Sequence, residues 1–167
     1  INILLNPSIK ENFIKNIFNI QKYLDGKPLE QCTRDKYIRY IGKKTIGNKY
    51  DDKKLRSKID IYINRRYNFY GYITFANKIE KIEENCNKLT KDIKLRKKIK
   101  EQQIRDEFDN SVMIIDEAHN IKDDSLSTKV LPPMLEYVVS VAKNMKLILL
   151  SATPMFNDPT EIVFLLN

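Results

Sequence analysis

No apolar run in the sequence approaches the roughly 18 residues that a membrane-spanning helix needs. The amino-terminal residues show no basic region followed by an apolar core, so no signal peptide is expected. Cysteine occurs twice, as Cys32 and Cys86, at a separation that fits no metal or redox spacing. The reading is two free thiols in a reducing, intracellular compartment. Histidine occurs once, as His119. Internal repeats and low-complexity tails are absent.

What is present is ample for a folded domain. The 167 residues are 42% hydrophobic and 31% charged, which suits one soluble globular unit with a real core and does not suit a disordered chain. Lys and Arg number 30 against 22 Asp and Glu, a net charge of +8. That balance favours an anionic partner. Its weight is reduced by the abundance of Lys, Ile and Asn, which codon bias in an AT-rich genome can supply.

The apolar pattern alternates between short branched runs and helical faces. Residues 1–5, INILL, read as a buried strand. Ser8 with Glu11 fits a capping box, so a helix is expected from about Ile9, with Phe13, Ile14, Ile17 and Phe18 as its face. Residues 24–68 carry Gly26, Gly42, Gly47 and a basic cluster from Lys43 to Lys58. They are expected to be a helical or irregular insertion in which Leu55, Ile59, Tyr62 and Ile63 share a helical face. Residues 69–75, FYGYITF, read as a further strand. Residues 77–109 are densely charged and read as one or two exposed helices, the plain explanation being a solvated face.

The last third is more sharply patterned. Val112–Ile115 reads as a strand and 122–131 as a polar loop. Pro132 and Pro133 can open a helix with Leu135, Val138, Val139 and Ala142 as its face. Residues 146–150 read as another strand. Asp158, Pro159 and Glu161 look like the start of a final helix. The fold class expected is α/β, a mostly parallel sheet covered on both faces by helices.

In open parallel sheets, ligands bind beyond the carboxyl ends of the strands. Asp116 and Glu117 follow one buried strand, and Ser151-Ala152-Thr153 follows another, so both should face one edge of the sheet. Two adjacent carboxylates repel each other and call for a cation. A hard oxygen ligand beside a phosphate is how Mg²⁺ is usually held, and Asp116 fits that part. Glu117 can orient or deprotonate a water attacking a terminal phosphate. His119 can link the acidic turn to Ser151 and Thr153 by hydrogen bonds. Taken alone, Ser151 and Thr153 read more readily as a turn or helix cap; their pairing with the acidic turn gives them weight.

IIDEAH followed by LLSATP resembles motifs II and III of the superfamily 2 DEAD/DEAH-type helicases and translocases. The resemblance implies the first RecA-like ATP-binding domain of a P-loop NTPase motor that couples ATP hydrolysis to movement on nucleic acid, DNA being favoured over RNA. It implies ATP and Mg²⁺ as ligands, with Asp116 as the metal ligand, Glu117 as the catalytic base, and His119, Ser151 and Thr153 as coupling residues. Residues 4–13, LLNPSIKENF, occupy the place of motif Ia, which makes Ser8 and Lys10 candidate contacts to a nucleic-acid backbone. A helix start offers N–H groups to a phosphate, although Ser8 reads equally as a simple cap. Residues 70–79, YGYITFANKI, resemble a later segment that touches the tracking strand, with Thr74 as the contact. The ending, TPMFNDPTEIVFLLN, is similar to chromatin-remodelling-type translocases and to helicase-like factors of large DNA viruses. A viral protein of that kind would work in a cytoplasmic factory or virion, with RNA polymerase or other transcription and virion proteins as partners.

One motif of such a motor is missing. A phosphate-binding loop needs Gly, four residues, then Gly-Lys-Ser/Thr. Gly42-Lys43-Lys44-Thr45 lacks the first glycine and the required order. The resemblance places the true loop before Ile1 and a second RecA-like domain after motif III, so residues 1–167 are expected to be a partial domain, inactive by themselves. Two rivals stay open: a hydrolytically dead scaffold or transcription factor of helicase-like fold, and a motor that drives a nuclease supplied by flanking sequence.

Overall fold

The computed structural model describes residues 1–29, 33, 36–41, 52–122 and 131–152. They form two compact units, one built from Ile1–Asn6 with Phe69 onward and the other from Pro7–Asn68.

The first unit is a four-stranded sheet with helices. Its strands are β1 (Asn2–Leu4), β2 (Asn68–Tyr70), β3 (Val112–Ile115) and β4 (Lys146–Leu149), in the order β2-β1-β3-β4. β3 pairs in parallel with both neighbours. Leu4 faces Ile115, and Ile115 faces Leu149. Parallel strands need long crossovers, and helices supply them. The mostly parallel α/β class read from the pattern is therefore the observed one. The strands at 112–115 and 146–149 match the expected ones almost residue for residue.

Three helices cover the face of the sheet to which Met113 and Ile115 point: α5 (Tyr72–Leu89), α6 (Ile93–Phe108) and α7 (Leu131–Val141). Phe75, Ile79, Ile104, Phe108, Leu131 and Val138 fill the layer between them with almost no exposure, and the Phe75 and Phe108 rings meet edge to face at 5.9 Å. Burying a side chain of this size stabilises the fold by about 2 kcal/mol. Asp92 caps α6 by accepting from Lys94 N at 2.8 Å and Leu95 N at 3.2 Å, satisfying N–H groups that the helix leaves open. Pro132 and Pro133 fall in the first turn of α7, where a missing N–H costs nothing. Asn2, buried among apolar residues, donates from Nδ2 to Ser111 Oγ at 3.2 Å.

Two expectations need correction. The run 69–75 is not a strand throughout: β2 stops at Tyr70, Gly71 is the cap, and α5 starts at Tyr72. The aromatic and β-branched residues imitate strand alternation, but Phe75 and Ile79 are the buried pair, four residues apart on one helical face. The helix after the first strand is not closed by a capping box either. Its cap is Ile9, without a side-chain cap hydrogen bond. Neighbouring Leu147 and Ile148 of β4 are 39% and 43% exposed.

The charged stretch after residue 77 is two helices, α5 and α6, whose outer faces carry ion pairs such as Lys78–Glu107 at 2.5 Å and Lys100–Glu83 at 2.7 Å. Cys86 is a buried free thiol on α5.

The second unit contains α1 (Lys10–Ile17), α2 (Ile20–Leu24), α3 (Lys36–Ile41) and α4 (Asp52–Asn64). The helical face expected on α4 is present, with Leu55, Ile59 and Ile63 buried. Ile17 and Phe18 are buried likewise, and the Phe18 ring packs at 5.8 Å from Tyr37. Cys32, the glycines at 42 and 47, the lookalike loop at 42–45, the loop at 123–130, and everything from Thr153 onward lie outside the described residues.

Candidate functional site

The site grows from the register of the sheet. Ile115 and Leu149 are partners in adjacent parallel strands, so the residues that follow them leave the same edge side by side. Leu150 N donates to Ile115 O at 2.8 Å, and Ala118 N donates back to Leu150 O at 2.9 Å. On the other side, Asp116 N donates to Leu4 O at 2.9 Å. The acidic turn is thus tied into both neighbouring strands.

The turn itself is tight. Glu117 has φ of +51°, in the left-handed region that costs a non-glycine residue about 1–2 kcal/mol. That reversal sends the chain straight into a short 3₁₀ turn, Ala118–Lys122, in which Asn120 N donates to Glu117 O at 2.9 Å. Ala118 is fully buried and Ile121 nearly so, both in the core layer. The small side chain at 118 lets the turn sit flat on the core, while Asp116 and Glu117 keep access to water.

His119 joins the two strand ends. Its Nδ1 lies 3.0 Å from Ser151 Oγ and 3.3 Å from Glu117 Oε2. With the proton on Nδ1 the ring donates to the carboxylate and the hydroxyl; with Nδ1 bare, Ser151 donates to it. The nearby carboxylate favours the first arrangement. The His119 side chain is 28% exposed and that of Glu117 is 46% exposed, so the cluster is half-sheltered.

Tyr72, at the start of α5, was not singled out by sequence. Its hydroxyl donates to Asp116 O and lies 3.3 Å from Glu117 O. Burial, helped by the charges of Asp116 and Glu117, pushes the phenol up to about 12, so it remains a donor at any working pH. The signal that could have found it is the rule already used for β3 and β4, since Tyr72 lies just beyond the end of β2. Reading 69–75 as one strand hid that end.

The structure therefore brings together Asp116, Glu117, His119 and Ser151. Thr74 is exposed in the first turn of α5, the helix that carries Tyr72. Ser8, in the 3₁₀ turn Pro7–Ile9, and Lys10, the first residue of α1, belong to the other unit. Thr153 lies outside the described residues. Among the described residues no three His, Cys, Asp or Glu side chains cluster as a closed metal cage. Mg²⁺ does not need one: it is bound by one or two carboxylates together with phosphate oxygens and water. The acidic pair fits that chemistry. No helix among the described residues is long and apolar enough to cross a membrane.

Adjacent ends of the parallel sheet thus carry an acidic turn and a histidine-linked serine. Residues 11–156 match the family described as "Type III restriction enzyme, res subunit". The chain belongs to this family and is part of the amino-terminal ATPase domain of a superfamily 2 helicase-type protein. It is 31% identical, over 96% of its length, to "Putative ATP-dependent RNA helicase L377" of Acanthamoeba polyphaga mimivirus. It is 26% identical, over 95% of its length, to "Putative helicase 087L" of Invertebrate iridescent virus 3. It spans 14% and 13% of those two proteins. No solved structure matches it. The large-DNA-virus likeness read from the sequence is thus found again in both relatives.

Proposed function

We propose that the protein to which these residues belong is an ATP-driven nucleic-acid helicase or translocase, and that the turn after β3 is its hydrolytic site. The observation that carries this reading is the meeting of the Glu117 carboxylate and the Ser151 hydroxyl on one imidazole nitrogen. A carboxylate held rigidly at the end of a buried strand is suited to orient a water toward a terminal phosphate and to take its proton. Mg²⁺ held by Asp116 would supply the positive charge that offsets charge building on the phosphate. His119 passes the state of the hydrolytic turn to the strand end at Ser151 and Thr153, where nucleic-acid grip would be felt. Ser8, Lys10 and Thr74 are the proposed backbone contacts. Phosphate binding and transition-state closure require the loop and the second domain expected in flanking sequence.

The name of the mimivirus relative specifies RNA, and the sequence reading favoured DNA, so the track is a direct experimental variable. Full-length protein is assayed for ATP turnover with single- and double-stranded DNA and RNA, beside Glu117→Gln. Nucleic-acid-stimulated turnover that Glu117→Gln abolishes, with ATP binding retained, is the expected result. Turnover unaffected by Glu117→Gln removes Glu117 from this role. Wild-type protein that binds nucleic acid without any turnover is instead the scaffold alternative, against which the intact Asp116-Glu117 pair argues.

A further inference from the structure

The Tyr72 hydroxyl reaches the backbone of two residues of the acidic turn, Asp116 and Glu117, from a different element, and nothing in the hydrolytic reading uses it. One phenolic proton serves Asp116 O and Glu117 O. Both partners are backbone carbonyls of the strained turn, and Glu117 O also accepts from Asn120 N at 2.9 Å. Glu117 is the residue held at φ of +51°, and a non-glycine residue stays there only when its surroundings over-determine it. Of the bonds that fix this turn, those to Leu4 O and Leu150 O come from the sheet. Tyr72 is the side-chain contact from the helical layer, anchored three residues before buried Phe75 and beside buried Ala76 on the same helix.

We propose that Tyr72 is a positioning residue for hydrolysis: its hydroxyl locks the backbone of Asp116 and Glu117 so that the Glu117 carboxylate is aimed at the attacking water. This rests on the reading of Glu117 as the base. The phenol touches neither nucleotide nor water in this scheme; it acts through the turn. Because it is the first residue of α5 and Thr74 lies in the same helical turn, the lock also joins that helix start to the hydrolytic turn.

The test uses full-length protein carrying Tyr72→Phe, Glu117→Gln or both, with single-turnover ATP hydrolysis on enzyme in excess so that small residual rates are measured. Tyr72→Phe removes one oxygen and keeps the ring. It is expected to lower kcat five- to twentyfold, with KM for ATP within about twofold and the thermal midpoint little changed. Added to Glu117→Gln, it should cause no further loss, because the carboxylate it aims is gone. Wild-type turnover in Tyr72→Phe overturns the proposal, as does a loss that multiplies with that of Glu117→Gln or that follows a large drop in thermal midpoint. If Glu117→Gln itself leaves turnover unchanged, the hydrolytic reading fails first. A silent Tyr72→Phe beside a dead Glu117→Gln sinks the lock alone.

Discussion

Strands β3 and β4 have the same length and similar content, VMII against KLIL, yet their surroundings are opposite. β3 lies between two parallel neighbours, with Met113 and Ile115 fully buried. β4 has a neighbour on one side among the described strands, and Lys146, Leu147 and Ile148 are all exposed. Each nevertheless delivers a polar turn to the same site. The buried strand carries the charged residues, whose direction has to be held. The more exposed one carries a serine that meets them through His119. On the proposed reading, rigid support is placed where misaiming would be most costly to catalysis.

That contrast is testable, first at the strand ends. Glu117→Gln should lower turnover of the full-length protein by about 10²–10⁴-fold, the range of a lost general base, whereas Ser151→Ala should lower it by roughly tenfold. Equal losses would erase the distinction between a reacting group and a linking one. Steady-state ATPase rates at saturating nucleic acid decide between them.

Within the strands, Ile115→Ala should cost about 2–5 kcal/mol of unfolding free energy, since it opens a cavity in a layer that excludes water. Leu147→Ala should cost less than about 1.5 kcal/mol, because its side chain already meets solvent. Denaturant unfolding of the two variants gives the comparison directly. A Leu147 loss as large as that of Ile115 would show that β4 is covered in the full-length protein, and would locate a further contact on its exposed face.

At the opposite edge of the sheet, the entrances to β3 and β4 are stitched together. Lys143 N donates to Asp109 Oδ1 at 2.6 Å, Asn110 N to Lys143 O at 2.9 Å, and Lys146 N to Ser111 O at 3.0 Å. Asp109→Ala should destabilise by about 1–2 kcal/mol and leave kcat near the wild-type value, because it sits at the edge away from the acidic turn. A kcat loss beyond about threefold would tie this stitch to catalysis.

Much of the fold was legible because β3, β4, α4 and α7 combine dense apolar content with clear punctuation. Prolines open α7, and polar residues stand near both ends of each strand. The acidic turn was legible for the same reason, since two carboxylates at the end of an apolar run have few structural uses. What sequence pattern could not show is which strand lies at the edge, because VMII and KLIL differ by little and the neighbours are set by long-range pairing. Tyr72 was missed because aromatic residues at 69, 70, 72 and 75 suit a strand as well as the join of strand and helix. Only packing of Phe75 and Ile79 on α6 and the sheet resolves it. The cap at Ile9 was missed because a favourable Ser-x-x-Glu spacing does not oblige the backbone to use it.

The central claim is that the turns after β3 and β4 act as one site through His119. A double-mutant cycle on nucleic-acid-stimulated kcat, with His119→Ala, Ser151→Ala and both changes in full-length protein, tests this most directly. The double variant is predicted to be no worse, within about twofold, than the worse single variant. Losses that multiply in full would show that the two strand ends act independently and would contradict the account.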